Sequence, residues 1–230
     1  MTNEFYKKTE NIKIFGERNS GTRYLEELLK INLINCKILD KRHDGGSGWK
    51  HGIPNEELLS KYKNIFYIFI IRDLNGWANS MFNRPYHIKK ENNFFKFLIN
   101  NIVPIEGVRG PNHDSLVLDH EKNKNLFELR YFKIKKYIEF SKGKNFAFLN
   151  MKFLQDNPKI VINYLSKKLN IENKKFNDFE YHTKTGRLEK NDLSYKKYNI
   201  YQYEGINKYI DKKIENYINN LKISFFIEEL

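Results

Sequence analysis

The sequence predicts an α/β fold: a single P-loop-like domain with a central, mainly parallel sheet flanked by helices. Three observations carry that expectation. Residues 12–15 are a short apolar run that passes through a turn of small and hydroxyl residues into an amphipathic helix. Residues 65–71 read IFYIFII, the continuous apolar pattern of a strand buried on both faces. A further apolar run at 145–150 leads through a turn into a helical pattern at 160–169. Strands alternating with helical segments point to a parallel sheet.

The first element, residues 12–29, reads IKIFGERNSGTRYLEELL. Gly16 and Gly21 stand five apart, the spacing of a nucleotide P-loop. The lysine of G-x-x-x-x-G-K-[ST] is missing, and Thr22 and Arg23 follow instead. A helix starting near residues 20–22 aims its unpaired N–H groups and positive dipole end into the turn. Ser20 and Thr22 add hydroxyl donors, while Arg18 and Arg23 add charge suited to phosphate oxygens. The same residues also fit an ordinary strand–turn–helix capped by Ser20.

The strand at 65–71 feeds a second feature, IIRDLNGWANSMF at residues 70–82. Ligands of open α/β sheets sit at the carboxyl edge of the strands. Arg72 leaves the strand there, and Ser80 follows eight residues later, about two helical turns on. Both reach one phosphate if the intervening loop folds back. Otherwise Arg72 pairs with Asp73 or a helix end and Ser80 is solvated.

Composition sets the outer bounds. A chain of 230 residues, 40% hydrophobic and 15% aromatic, builds a real core and is not disordered. With 41 basic against 28 acidic side chains the net charge is +13, which points to anionic partners without choosing among them. The lone Cys36 excludes an internal disulfide and a cysteine metal cluster, and suits a reducing, cytoplasmic compartment. Residues 1–10 are too polar for a signal peptide, and the run at 65–71 is too short to span a bilayer. No linker divides the chain, so residues 1–230 are expected as one domain with a C-terminal helix at about 204–221 docked on it.

Together the segments at 16–23 and 72–80 resemble the sulfotransferase superfamily that uses 3′-phosphoadenosine 5′-phosphosulfate. GERNSGTR is similar to its 5′-phosphosulfate loop, especially the version in heparan-type sulfotransferases. Arg72 with Ser80 matches the superfamily's 3′-phosphate motif. A third segment, NFAFLNMKFLQDNP at 145–158, resembles its strand, "E-D-L-x-x-x-P" turn and helix, with a helix expected before it at 125–133. Within the superfamily the chain is similar to small bacterial proteins of the "G-E-R-N-S-G-T-x-Y-L" type, which often carry a Trp-Lys-His segment, here at residues 49–51.

The resemblance implies sulfuryl transfer to a hydroxyl or amine of a carbohydrate-like or small-molecule acceptor, without a metal. Arg18, Asn19, Ser20, Gly21, Thr22 and Arg23 would meet the 5′-phosphosulfate, and Arg72 and Ser80 the 3′-phosphate. Lys184 and Arg187 would close over the donor from a later loop. Asn19 stands where many members have a lysine on the bridging oxygen, so Arg18, Arg23 or Lys50 must supply that charge. His51 is the expected general base, since a histidine titrates in the useful range and Lys50 favours its neutral form. His43 and Asp44 are reserves, and Glu17 is a weaker one.

Three other readings stay open. A P-loop kinase or NTPase fits the turn but lacks its lysine and an evident aspartate for magnesium. A basic nucleic-acid-binding protein fits the charge, yet the basic residues are spread along the chain with no recognition module. A pseudoenzyme would keep the nucleotide site without turnover. Acceptor identity and oligomeric state have no signal in the sequence.

Overall fold

The computed structural model describes residues 10–39, 47–85, 88–103, 125–178 and 197–224. Five strands form one sheet in the order β2-β1-β3-β4-β5: β1 (Glu10–Gly16), β2 (Cys36–Ile38), β3 (Ile65–Ile71), β4 (Phe146–Asn150) and β5 (Ile223–Ser224). The first four are parallel and β5 is antiparallel to β4. The fold is therefore mixed α/β with a mostly parallel sheet, as the alternating pattern predicts. β3 lies at the centre and all seven of its residues are buried.

Strand alternation sorts the core into two layers. Ile12, Ile14, Phe66, Ile68, Ile70, Ala147 and Leu149 face α1 (Thr22–Asn32), α6 (Met151–Asp156) and α7 (Pro158–Leu169). Phe15, Phe69, Ile71 and Phe148 face the other way. That face is covered by α3 (Leu74–Asn83), α4 (Phe94–Ile99), α5 (Leu126–Ser141) and α8 (Lys212–Asn220). A short α2 (Glu56–Ser60) precedes β3. Phe69 stacks between Phe15 at 5.9 Å and Phe148 at 4.9 Å, with Tyr137 of α5 at 5.4 Å.

The helix starts have local causes. Asp73 caps α3 by accepting from the Gly76 amide at 2.7 Å. Asn125 caps α5 through two amides, and Asn150 does the same for α6. The segment after β4 is thus a short helix rather than a plain turn. Helix α3 ends at Asn83, two residues before Pro85.

The C-terminal helix is shorter than residues 204–221. Gly205 adopts φ 76°, Ile206–Tyr209 is a 3-10 turn, and Asp211 caps a helix that begins only at Lys212. The chain then adds β5, which had no local signal. Cys36 is half-buried, and burial pushes its thiol pKa up, as suits an inert thiol. No helix among the described residues is long and apolar enough to cross a membrane.

Removing the Phe69 ring opens a cavity in the middle of the aromatic layer. Phe69→Ala is expected to cost about 3–5 kcal/mol. Urea unfolding followed by circular dichroism measures it.

Candidate anion-binding site at the carboxyl edge

β2 and β3 leave β1 on opposite sides, so the strand order reverses between β1 and β3. At this switch point, the place where open α/β sheets bind ligands, the chain after β1 passes to α1 on one face of the sheet and the chain after β3 to α3 on the other. The first loop is the turn from Gly16 to Thr22. A Cβ on Gly16 would stand 2.6 Å from the Ile70 carbonyl, and one on Gly21 would stand 2.1 Å from Met151 Sδ. Gly21, at φ 93°, also needs glycine's freedom. The turn is therefore packed against β3 on one side and α6 on the other.

Helix α1 starts at Thr22 with no side chain capping it and no acid in its first turn. Its leading amides point at the turn with their dipole uncompensated. Ser20 is not the cap: its hydroxyl turns back to the Glu17 carbonyl at 2.7 Å and braces the loop. Thr22 is buried at the helix start, and Arg23 is exposed. The Arg18 guanidinium lies 4.4 Å above the Trp49 ring.

Asn19, at φ 62°, sends its amide away from the turn. It donates to the Ser80 and Arg84 carbonyls at 3.4 and 3.2 Å, at the end of α3. Its backbone carbonyl accepts from Arg72 Nη1 at 3.2 Å. Arg72 therefore folds back onto the turn rather than onto Asp73. A Cβ on Gly76 would stand 2.9 Å from Arg72 Nε, so the guanidinium crosses the start of α3 at a glycine. Asn19 thus joins the turn to the Arg72 guanidinium and to the main-chain carbonyl of Ser80.

The Trp49–Lys50–His51 stretch is pinned to the end of β1. The Gly16 amide donates to the Lys50 carbonyl at 2.9 Å, and His51 Nδ1 lies 2.9 Å from the Gly16 carbonyl. A carbonyl only accepts, so Nδ1 carries the proton and Nε2 keeps the lone pair. Burial, and then the charges of Lys50, Arg18 and Lys133, push the imidazole pKa down to about 3, against the bond to Gly16. That keeps His51 neutral and makes it a weaker base than a free histidine. The Lys50 ammonium faces Glu26 on α1 at 2.7 Å, not the turn.

Several buried neighbours of the site, Arg130 apart, carry no signal in the local sequence. Buried Lys13 on β1 donates to Ser47 Oγ at 2.9 Å and the Gly48 carbonyl at 2.7 Å, holding the segment that leads to Trp49. Buried Lys133 on α5 donates to the His51 carbonyl at 2.9 Å. Arg130, also on α5, contacts Glu17, Glu215 of α8 and the Arg72 carbonyl. A narrow cleft beside the turn is lined by Glu17, Arg18, Trp77, Met81, Arg130 and Lys133, among others. A charged residue at a helix position that periodicity marks as buried was the available signal, and Arg130 carries it.

His43, Asp44, Lys184 and Arg187 lie outside the described residues. Among the described residues, no group of three His, Cys, Asp or Glu side chains could hold a metal ion. No protein-family model matches the chain, and neither a curated protein nor a solved structure does.

Glu17 and Glu215 share the single Arg130 guanidinium. Burial pulls the Arg130 pKa down, but the two carboxylates together outweigh it and the pKa rises, whereas at Glu17 burial outweighs Arg130 and lifts that carboxyl from 4.5 to about 7. A carboxyl raised on folding favours the folded state fully below its unfolded pKa and loses that contribution as pH rises through about 7. Glu17→Gln is therefore expected to be more stable than wild type at pH 8, by on the order of 2 kcal/mol. That advantage closes as pH falls toward 5, and paired thermal melts across pH 5–8 follow it.

Proposed function

We propose that this chain is a sulfotransferase. In this reading it takes a sulfuryl group from 3′-phosphoadenosine 5′-phosphosulfate and passes it to a hydroxyl or amine of a carbohydrate-like or small-molecule acceptor. The observation that carries the reading is the contact of Arg72 with the Asn19 carbonyl. It sets the arginine at the end of β3 against a turn whose helix start is uncapped. A P-loop-like turn supplies an anion cradle, and Arg72 with Ser80 supplies a second anion site beside it. A 3′-phosphate is what separates this donor from ATP.

The residues fit the donor's charges. The α1 amides, Thr22 and Arg18 meet the 5′-phosphosulfate, and Arg72 and Ser80 hold the 3′-phosphate. Ser20 and Gly21 shape the loop, and Asn19 ties it to α3. With Lys50 on Glu26 and Arg23 exposed, this reading gives Arg18 the task of neutralising charge on the departing phosphate. An acceptor oxygen bonds to sulfur as the bridging S–O bond breaks, and the bond's electrons leave with the 5′-phosphate. The acceptor's proton passes to His51 Nε2. Anionic charge beside Arg18 and Lys50 offsets part of their effect and raises the imidazole toward useful basicity. No step in this scheme calls on a metal.

Adenosine 3′,5′-bisphosphate at a hundred times its dissociation constant should stabilise the protein by about 2.7 kcal/mol. In a chain of this size that raises the melting temperature by roughly 5–10 °C. 5′-AMP should give a smaller shift, and Arg72→Ala should remove the difference. Stabilisation by ATP with magnesium instead, or by no nucleotide, would overturn the reading.

A further inference from the structure

Both halves of this anion site meet one side chain that belongs to neither. Arg130 on α5 is wholly buried, and its guanidinium has three directed partners. Nη1 donates to Glu17 at the start of the turn, Nη2 to the Arg72 carbonyl at 2.8 Å, and Nε to Glu215 Oε1 at 3.2 Å. One face of the guanidinium lies over the Trp77 ring, 4.8 Å from its centroid. A planar fork held at its edges and on one face cannot swing, and an ammonium could not reproduce that geometry.

We infer that Arg130 is the positioning residue that fixes the separation of the turn from Arg72, with Glu215 of the C-terminal helix as its anchor. The inference rests on the reading of the turn and Arg72 as one nucleotide site. The contacts close a ring. Arg72 donates to the Asn19 carbonyl, Arg130 holds the Arg72 carbonyl, and Arg130 also holds Glu17, two residues before Asn19. The turn and the end of β3 are thereby braced as one unit. Glu215 is buried against Arg130, with Tyr131 also beside its carboxylate, so the guanidinium is the cation paired with that buried charge. A ligand with one phosphate engages one wall of this unit. A ligand with 3′- and 5′-phosphates spans both walls, so only its affinity depends on their separation.

Trp49 and Trp77, the two tryptophans of the chain, contact Arg18 and Arg130 respectively, so intrinsic fluorescence reports occupancy. Dissociation constants for adenosine 3′,5′-bisphosphate and 5′-AMP are measured for wild type, Glu215→Gln and Arg130→Lys, with melting temperatures alongside. Glu215→Gln keeps the side-chain shape and is expected to cut the preference for the bisphosphate about tenfold, while 5′-AMP changes less than about threefold. Arg130→Lys should lose at least as much preference; if it does not fold, Glu215→Gln decides alone. An unchanged preference in Glu215→Gln, whatever its melting temperature, makes Arg130 a purely structural ion-pair centre and overturns the inference while leaving the donor-site reading intact. A wild type with no preference for the bisphosphate removes the donor-site reading, and the inference falls with it.

Discussion

The candidate site depends on how closely β1 and β3 approach at their carboxyl ends. Gly16 pairs with Ile70 at the last rung of the ladder, where a Cβ would meet both the Ile70 carbonyl and Ser20 Oγ. That contact lets the chain turn at once into residues 17–21 instead of extending beyond the sheet. It also sets the turn beside Arg72, two residues past Ile70. The reversal of strand order at this point sends the following helices, α1 and α3, to opposite faces of the sheet. A side chain at Gly16 would separate the strands and the two anion-suited loops together.

Beside the turn lies a layer of buried charge. Lys13, Glu17, Arg130, Lys133 and Glu215 are all under 5% exposed, an unusual concentration for groups that water solvates well. Their attraction in a low-dielectric interior is offset by desolvation, and one guanidinium serving two carboxylates leaves each only partly compensated. Such a cluster contributes geometry more than stability. Lys13 and Lys133 hold backbone carbonyls of the segment before His51 and of His51 itself, and Arg130 holds the backbone at Arg72. Each buried charge thus fixes a loop that an apolar side chain could pack against but not orient.

Much of the scaffold was legible in the sequence. The run at 65–71 can hide seven consecutive apolar residues only between two helical layers, and it became β3. The strand–turn–helix at 12–29 was legible because its period changes from strand to helix across small residues. The C-terminal helix was misread at its start: Tyr209 and Ile210 continue the apolar spacing, but Gly205 in the left-handed region and the Asp211 cap place the boundary at Lys212. β5 is two residues whose pairing with β4 is its whole cause. At the site, Arg72 and the turn were legible from residue type and strand-end position. Side-chain partners far along the chain were not. Lys50 faces Glu26, Asn19 reaches the end of α3, and Arg130 meets Glu215 across 85 positions, pairings that no local pattern announces.

The central claim is that the turn after β1 and Arg72 after β3 bind two phosphates of one nucleotide. Phosphorus-31 NMR of adenosine 3′,5′-bisphosphate titrated with the protein tests it most directly, because the two phosphates report separately. Both resonances should shift on binding to wild type, and Arg72→Ala should silence the response of the 3′-phosphate while leaving that of the 5′-phosphate. A 3′ resonance that ignores the protein, or that responds equally without Arg72, would contradict the claim.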